Sequence, residues 1–333
     1  MATITRIGLL GASRIARGAV IAPAADIDSV EVTRVAASRQ EKAEAYAEEH
    51  GIPGVEADYA ALVTSDAVDV VYNALPPSGH MQWSIAALEA GKDVLCEKPF
   101  AMNAAEAEQM VAAARATGRT LIEAFHYRFH PLFGRILEVL HAGTIGEIRS
   151  LAGEFNAAIP YQPGELRHEL DVGGGALMDL GCYPVHWVRT VMGSEPRVLS
   201  ARAVQEREGV DLAMCADLEF AGGVHGEIAC SMATDLEPPF SASLSIIGDK
   251  GQVAVTNPMS PHSGHELSIE SDAGVSSEVV DGHSTYFHQL EHMLRVIRGE
   301  ARPITGGEDA IANMRLIDAI YRAAGMQPRG QKN

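Results

Sequence analysis

Short apolar runs alternate with longer amphipathic segments through the first third of the chain. Ile7-Gly8-Leu9-Leu10 reads as a strand running into a glycine turn, and a helix follows over 15–25. Strand patterns recur at 30–37, 68–75, 93–97 and 120–125, and helical spacing recurs at 40–50, 80–90 and 104–117. Gly91 and Gly118 stand just past two of these helices, where a left-handed residue closes a helix. Strands alternating with helices in this way predict βαβ units and a doubly wound parallel sheet.

Beyond Phe129 the pattern changes. Helical segments give way to paired β-rich runs, such as 242–247 and 252–256, joined by turn residues: Phe220-Ala221-Gly222-Gly223-Val224, Gly248-Asp249-Lys250-Gly251 and Ser271-Asp272-Ala273-Gly274. Such punctuation predicts a large, mostly antiparallel sheet. A helical layer includes 175–192, two helices are expected at 285–298 and 308–324, and the polar tail after them is expected to be frayed.

A chain of 333 residues is too long for one ordinary core, so two domains are expected, 1–125 and 126–333. The net charge of −18 argues against nucleic acid or an anionic membrane as the main partner. No apolar run reaches the roughly 18 residues a bilayer span needs, and Met1-Ala2-Thr3-Ile4-Thr5-Arg6 lacks a signal-peptide layout. A soluble, cytoplasmic protein is expected. Cys96, Cys182, Cys215 and Cys230 are scattered without metal-like pairing, which reads as free thiols in a reducing compartment.

Three constellations carry candidate chemistry. In Gly11-Ala12-Ser13-Arg14-Ile15-Ala16, small residues let the backbone approach a pyrophosphate and the helix start supplies N–H donors. Ser13 stands where the dinucleotide fingerprint has its second glycine, and the same six residues also suit a plain strand-to-helix turn. After the next strand an NAD site carries an acid for the ribose, whereas this chain has Ala37-Ser38-Arg39; a hydroxyl and a guanidinium suit the 2′-phosphate of NADP. The run Val94-Leu95-Cys96-Glu97-Lys98-Pro99 ends a strand where open α/β sheets bind ligands, so Lys98 is aimed at a cleft. Finally, a regular helix from Gly175 would align Asp179, Tyr183 and His186 on one face, although Pro184 is placed to bend it. A polar helix face in water gives the same pattern.

Glu97-Lys98-Pro99 after a Rossmann-like half, Phe129-His130-Pro131 after Tyr127-Arg128, and Gly173-Gly174-Gly175-Ala176-Leu177-Met178-Asp179 followed by Tyr183 together resemble the Gfo/Idh/MocA oxidoreductases. The segment 123–131 is most similar to the branch with trans-dihydrodiol dehydrogenase and NADP-dependent xylose dehydrogenase, and the glycine-rich motif is also similar to that of sugar 3-ketoreductases. The resemblance implies an N-terminal Rossmann domain and a C-terminal α/β domain with an open sheet for substrate binding and oligomerisation, as a homodimer or homotetramer. It implies Lys98 beside nicotinamide and substrate oxygen, Asp179 at a substrate hydroxyl or a proton transfer, and Tyr183 as acid/base, with His186 where many polyol dehydrogenases have a second acid. Gly11, Ala12, Ser13, Arg14, Ile15, Ser38, Arg39, Leu75, Pro76, His80 and Glu97 are then expected at the cofactor, and His126, Arg128 and Phe155 at the substrate.

A phenol ionises near pH 10, so it is a poor base at neutral pH unless an ammonium favours the phenolate. Lys98 is expected to do this for Tyr183 and to polarise the substrate oxygen. The expected protein is an NADP(H)-dependent oxidoreductase of a sugar, keto-sugar or cyclic polyol, with the ligand between the two domains. The alternatives are a dehydrogenase of an apolar cyclic diol and a non-catalytic NADP-binding sensor. No metal is expected, since His288 and His292, one turn apart, have no apparent third ligand.

Overall fold

The structure is a computed structural model that describes residues 4–331. It divides into two compact units, one holding the chain up to His126 and again Tyr286–Ile311, the other Tyr127–Thr285 and the chain from Ala312 onward.

In the first unit, β1 (Thr5–Leu10), β2 (Val30–Ala36), β3 (Gly54–Val55), β4 (Val70–Asn73), β5 (Asp93–Cys96) and β6 (Leu121–Glu123) form a parallel sheet in the order β3-β2-β1-β4-β5-β6. The order reverses between β1 and β4, the point at which such sheets take ligands past their strand ends. The helices are α1 (Arg14–Ala16), continued by a π-helical turn over Arg17–Ile21 into α2 (Ala22–Ala25), then α3 (Gln40–His50), α4 (Tyr59–Thr64), α5 (His80–Glu89) and α6 (Ala104–Thr117). Leu9, Val71 and Val94 are fully buried, as near-continuous apolar strands under helices should be. The short α4 has too few residues to show a period; Asp58 caps it by accepting from Ala61 N at 2.7 Å. The strands expected at 68–75 and 93–97 end earlier, at Asn73 and Cys96, so Leu75, Glu97 and Lys98 stand on the loops beyond the strand ends.

The second unit contains α7 (Pro131–His141), β7 (Ile148–Ala157), a π-helical turn over Leu177–Gly181, α8 (Cys182–Met192) and strands β8 (Arg197–Arg207), β9 (Val210–Glu219), β10 (His225–Ser231), β11 (Phe240–Gly248), β12 (Gly251–Thr256), β13 (Glu266–Ser271) and β14 (Gly274–Glu278). The eight strands pair in the order β14-β13-β12-β11-β7-β10-β9-β8, antiparallel except for β7 with β10. Phe155, Leu244, Val253 and Leu267 face inward, while Glu154, Ser243, Gln252 and Glu266 face water, the period-2 pattern of a sheet covered on one side. The helical layer lies directly on β7: a Cβ on Gly153 would stand 2.9 Å from Pro184 Cβ, so only glycine permits that approach.

The chain ends with α9 (Thr285–Ile297) and α10 (Glu308–Ala323). The sequence suggests one crossing between domains at 125/126, whereas here 286–311 rejoins the first unit. Long-range contacts that no local pattern encodes hold it there. Thr305 donates its hydroxyl to Glu123 O at 2.7 Å, and Gly306, at φ +108, lies so close to Leu121 O that a Cβ would be 2.6 Å away. The expectation of a frayed tail is corrected: Arg329 is 2% exposed and donates to Gly174 O at 2.6 Å. Among the described residues no helix is long and apolar enough to cross a membrane.

Candidate active site

In the first unit the end of β1 delivers Gly11, at φ +97, against Leu75 and Ala74 O, which a Cβ there would meet at 3.3 and 3.4 Å. Ser13 stands at the N-cap position of the helical run that follows but makes no capping bond, and its hydroxyl oxygen is buried without a hydrogen-bond partner. A backbone cradle closed to side chains and an orphaned hydroxyl both suit a dinucleotide brought against this turn. Tyr46 on α3 donates to Ser13 O at 2.9 Å, and burial, with Glu49 nearby, pushes its phenol up to about 12. Its proton, and this brace, therefore persist at any ordinary pH. Ser38 and Arg39 are exposed at the start of α3, and no acid stands between them and the end of β2.

The strand-end loops beside that turn are braced from below. His80, with no exposed surface, has Nε2 2.8 Å from Leu75 O and Nδ1 3.0 Å from Pro99 O, and burial lowers its pKa. Buried in this way, the ring ties the Leu75-Pro76 loop to the turn after Lys98. Tyr72 on β4 donates to Glu97 Oε1 at 2.6 Å, and Lys98 N donates to Glu97 Oε2 at 3.2 Å. Glu97 is 8% exposed, while Lys98 is only half-buried and its peptide to Pro99 is cis. His126, 2% exposed, stacks on Tyr286 with ring centres 4.1 Å apart; burial first, then the Glu97 charge, drives the Tyr286 phenol far above its usual range.

In the second unit the expected regular helix from Gly175 is corrected. Asp179 lies inside the π-helical turn, and α8 starts only at Cys182. Pro184 cannot donate to the preceding turn and its ring crowds that turn's carbonyl, which the π turn relieves. Asp179 Oδ2 accepts from Arg167 Nε at 2.5 Å, and Arg167 Nη1 also donates to Glu165 Oε1 at 3.0 Å. The Asp179 charge is the main cause of the raised Arg167 pKa. The loop bearing Arg167 is fixed to the glycine turn by its own backbone, with Gly175 N donating to Arg167 O at 2.8 Å and Gly174 N to Glu169 O at 2.9 Å.

Tyr183, 4% exposed, sits in an aromatic cluster with Phe155, Tyr127 and Trp187 at ring distances of 5.5, 6.0 and 6.2 Å. His186 is 1% exposed and its Nδ1 is hydrogen-bonded to the Tyr127 hydroxyl. Phe155 also meets Phe240 edge-on at 5.6 Å, and Arg128 lies 5.6 Å over the Phe133 ring. Thus Tyr183, His186 and Phe155 share one cluster, while Asp179 is paired with Arg167. Arg167, Tyr72 and Tyr286 escape sequence reasoning, because each acts through a partner remote in sequence or in a loop without periodicity. Among the described residues one group could ligate a metal, Asp217, His225 and Glu227, and it lies partly exposed on β9 and β10.

Residues 5–125 match the oxidoreductase family with an NAD-binding Rossmann fold, and residues 133–254 match the GFO/IDH/MocA C-terminal domain. The chain belongs to the Gfo/Idh/MocA oxidoreductases. It is 33% identical over 320 residues, 95% of this chain and 96% of the relative, to D-xylose 1-dehydrogenase (NADP(+)) 2 of Haloferax volcanii. It is 36% identical over 232 residues, 69% of this chain and 68% of the relative, to trans-1,2-dihydrobenzene-1,2-diol dehydrogenase of Mus musculus. A crystal structure of a 3-ketoreductase from Actinomadura kijaniata in complex with NADP and TDP-benzene matches with a TM-score of 0.88 at 28% identity, over 96% of this chain and 98% of that one. The protein is an oxidoreductase of CH–OH and C=O groups.

Proposed function

We propose that the protein transfers hydride between NADP(H) and a hydroxyl or carbonyl carbon of a sugar, keto-sugar or cyclic polyol. The observation that carries this reading is the Asp179 carboxylate, fixed through Oδ2 by Arg167: an oriented, charged acceptor matches a substrate rich in hydroxyls. NADP is favoured by exposed Ser38 and Arg39 at the end of β2, and both the xylose dehydrogenase and the ketoreductase carry NADP in their names or complexes. Gly11, Ala12, Ser13, Arg14 and Ile15 hold the pyrophosphate, and Leu75, Pro76 and Glu97, braced by His80, flank the nicotinamide half.

The bound nicotinamide supplies the hydride acceptor or donor. Lys98 holds the substrate oxygen and offsets the negative charge it gains in the transition state. Tyr183, as the phenolate, takes the hydroxyl proton as the C–H hydride leaves, and as the phenol returns that proton in the reductive direction. Asp179 accepts from a neighbouring substrate hydroxyl, while His126, Arg128, Phe155 and His186 shape the substrate side. A second reading, an apolar cyclic diol as substrate, is supported by the ring cluster of Phe155, Tyr183 and Phe240.

A panel of aldoses, inositols, keto-sugars and cyclic diols, followed by cofactor absorbance with NADP(H) and NAD(H), tests the proposal. Turnover of a sugar or polyol with NADP(H) is expected. Turnover of cyclic diols alone would move the assignment to the second reading, and NADPH binding without turnover of any member would refute the proposed substrate class. Arg39→Ala is expected to weaken NADPH by about 1–3 kcal/mol and leave NADH nearly unchanged, the scale of hydrogen bonds to a charged group. Equal losses for both cofactors would refute the role of Arg39.

A further inference from the structure

The glycine turn that precedes Asp179 and Tyr183 is gripped by the far end of the chain. Asp211 on β9 is fully buried and gathers three donors: Arg329 Nη2 on Oδ1 at 2.5 Å, the Tyr321 hydroxyl on Oδ1 at 2.9 Å, and Leu177 N on Oδ2 at 2.7 Å. Arg329 also donates from Nε to Gly174 O at 2.6 Å, and its guanidinium lies 4.2 Å over the Tyr321 ring. The network therefore holds the backbone at two points, the carbonyl of Gly174 and the amide of Leu177. Between them stands Gly175, at φ +134, where a Cβ would strike Asp211 Oδ1, Arg329 Nη2 and the Tyr321 hydroxyl.

A buried ion pair is weak evidence for stability, since desolvation offsets much of its attraction, and its best-attested use is to fix one arrangement. Here the arrangement fixed is the first turn of the segment carrying Asp179 and Tyr183. Leu177 N is one of the helix-start donors that have no partner within a helix, and a buried carboxylate answers it. We propose that Arg329, with Asp211 and Tyr321, forms a positioning latch that sets the register of this segment for proton transfer. The proposal rests on the reading that Asp179 and Tyr183 act on the substrate.

The test uses the full-length protein and the best substrate of the panel. Arg329→Lys keeps the charge but loses the planar fork that reaches Asp211 and Gly174 together. It is expected to bind NADPH within about twofold of wild type and to lose about tenfold or more in kcat, as a displaced catalytic group does. For Arg329→Ala, millimolar guanidinium is expected to restore kcat at least about fivefold, a readout that general loss of stability would not give. Tyr321→Phe, which keeps the ring and removes one donor to Asp211, is expected to lower kcat by about threefold. Arg329→Lys with kcat within twofold of wild type would overturn the latch; if the Arg329 variants do not fold, unchanged kcat in Tyr321→Phe overturns it. Tyr183→Phe measured alongside separates the two ideas. If it is fully active, the underlying reading falls and the latch with it, whereas if it is inactive while Arg329→Lys is fully active, only the latch falls.

Discussion

Lys98→Met is expected to lower kcat/KM by about 10³-fold, about 4 kcal/mol of transition-state stabilisation, with NADPH affinity and fold retained. Methionine keeps most of the apolar stem and removes only the positive charge. The turn that presents the side chain does not depend on that charge, because it is held by Tyr72 on Glu97 Oε1, by the backbone N–H of Lys98 on Glu97 Oε2 and by His80 on Pro99 O. On the proposed function, that charge holds the substrate oxygen and offsets the negative charge it gains in the transition state. Steady-state kinetics on the best substrate, with NADPH binding read separately by fluorescence quenching, gives the comparison. A folded, NADPH-binding variant with more than a tenth of wild-type activity would show that Lys98 is not catalytic.

The first unit was largely legible because its information is local. Period, glycine punctuation and a glycine turn after the first strand located α3 and α6 at their observed bounds, and Gly118 closes α6 in the left-handed conformation. What stayed hidden is set by distant partners. The strand expected to reach 75 is overdrawn because the apolar run continues through Leu75 and Pro76 past Asn73, and the one expected to reach 97 exceeds β5 by Glu97 alone, whose N–H still donates to Asn73 O at 2.9 Å. The return of 286–311 depends on Thr305 and Gly306 meeting backbone carbonyls of 121–123, a match no window of sequence contains. Asp179 was legible as an acid in a motif, but its partner Arg167 sits in an aperiodic loop. Arg329 falls in the tail whose polar sequence suggests fraying, because its counter-charge, Asp211, lies far away in sequence, buried at the start of β9.

Tyr183→Phe is expected to lower kcat by about 10²-fold or more while NADPH affinity stays unchanged, the usual worth of general acid/base catalysis. The substitution removes one hydroxyl and leaves the ring, so the contacts with Phe155, Tyr127 and Trp187 remain. The rival for the proton is His186, three residues on in α8, whose Nδ1 is bonded to the Tyr127 hydroxyl. At 1% exposure the imidazole has little access to a substrate, and Tyr183 at 4% has hardly more, so burial does not choose between them. On the proposed function the proton is Tyr183's, because Tyr183 stands four residues after Asp179, where the resemblance puts the acid/base, while His186 Nδ1 is engaged by the Tyr127 hydroxyl. The paired variant His186→Ala is therefore expected to retain more turnover than Tyr183→Phe, and its loss is expected to track disruption of the Tyr127 contact. Near-normal turnover in Tyr183→Phe together with an inactive, folded His186→Ala would transfer the acid/base role to the imidazole.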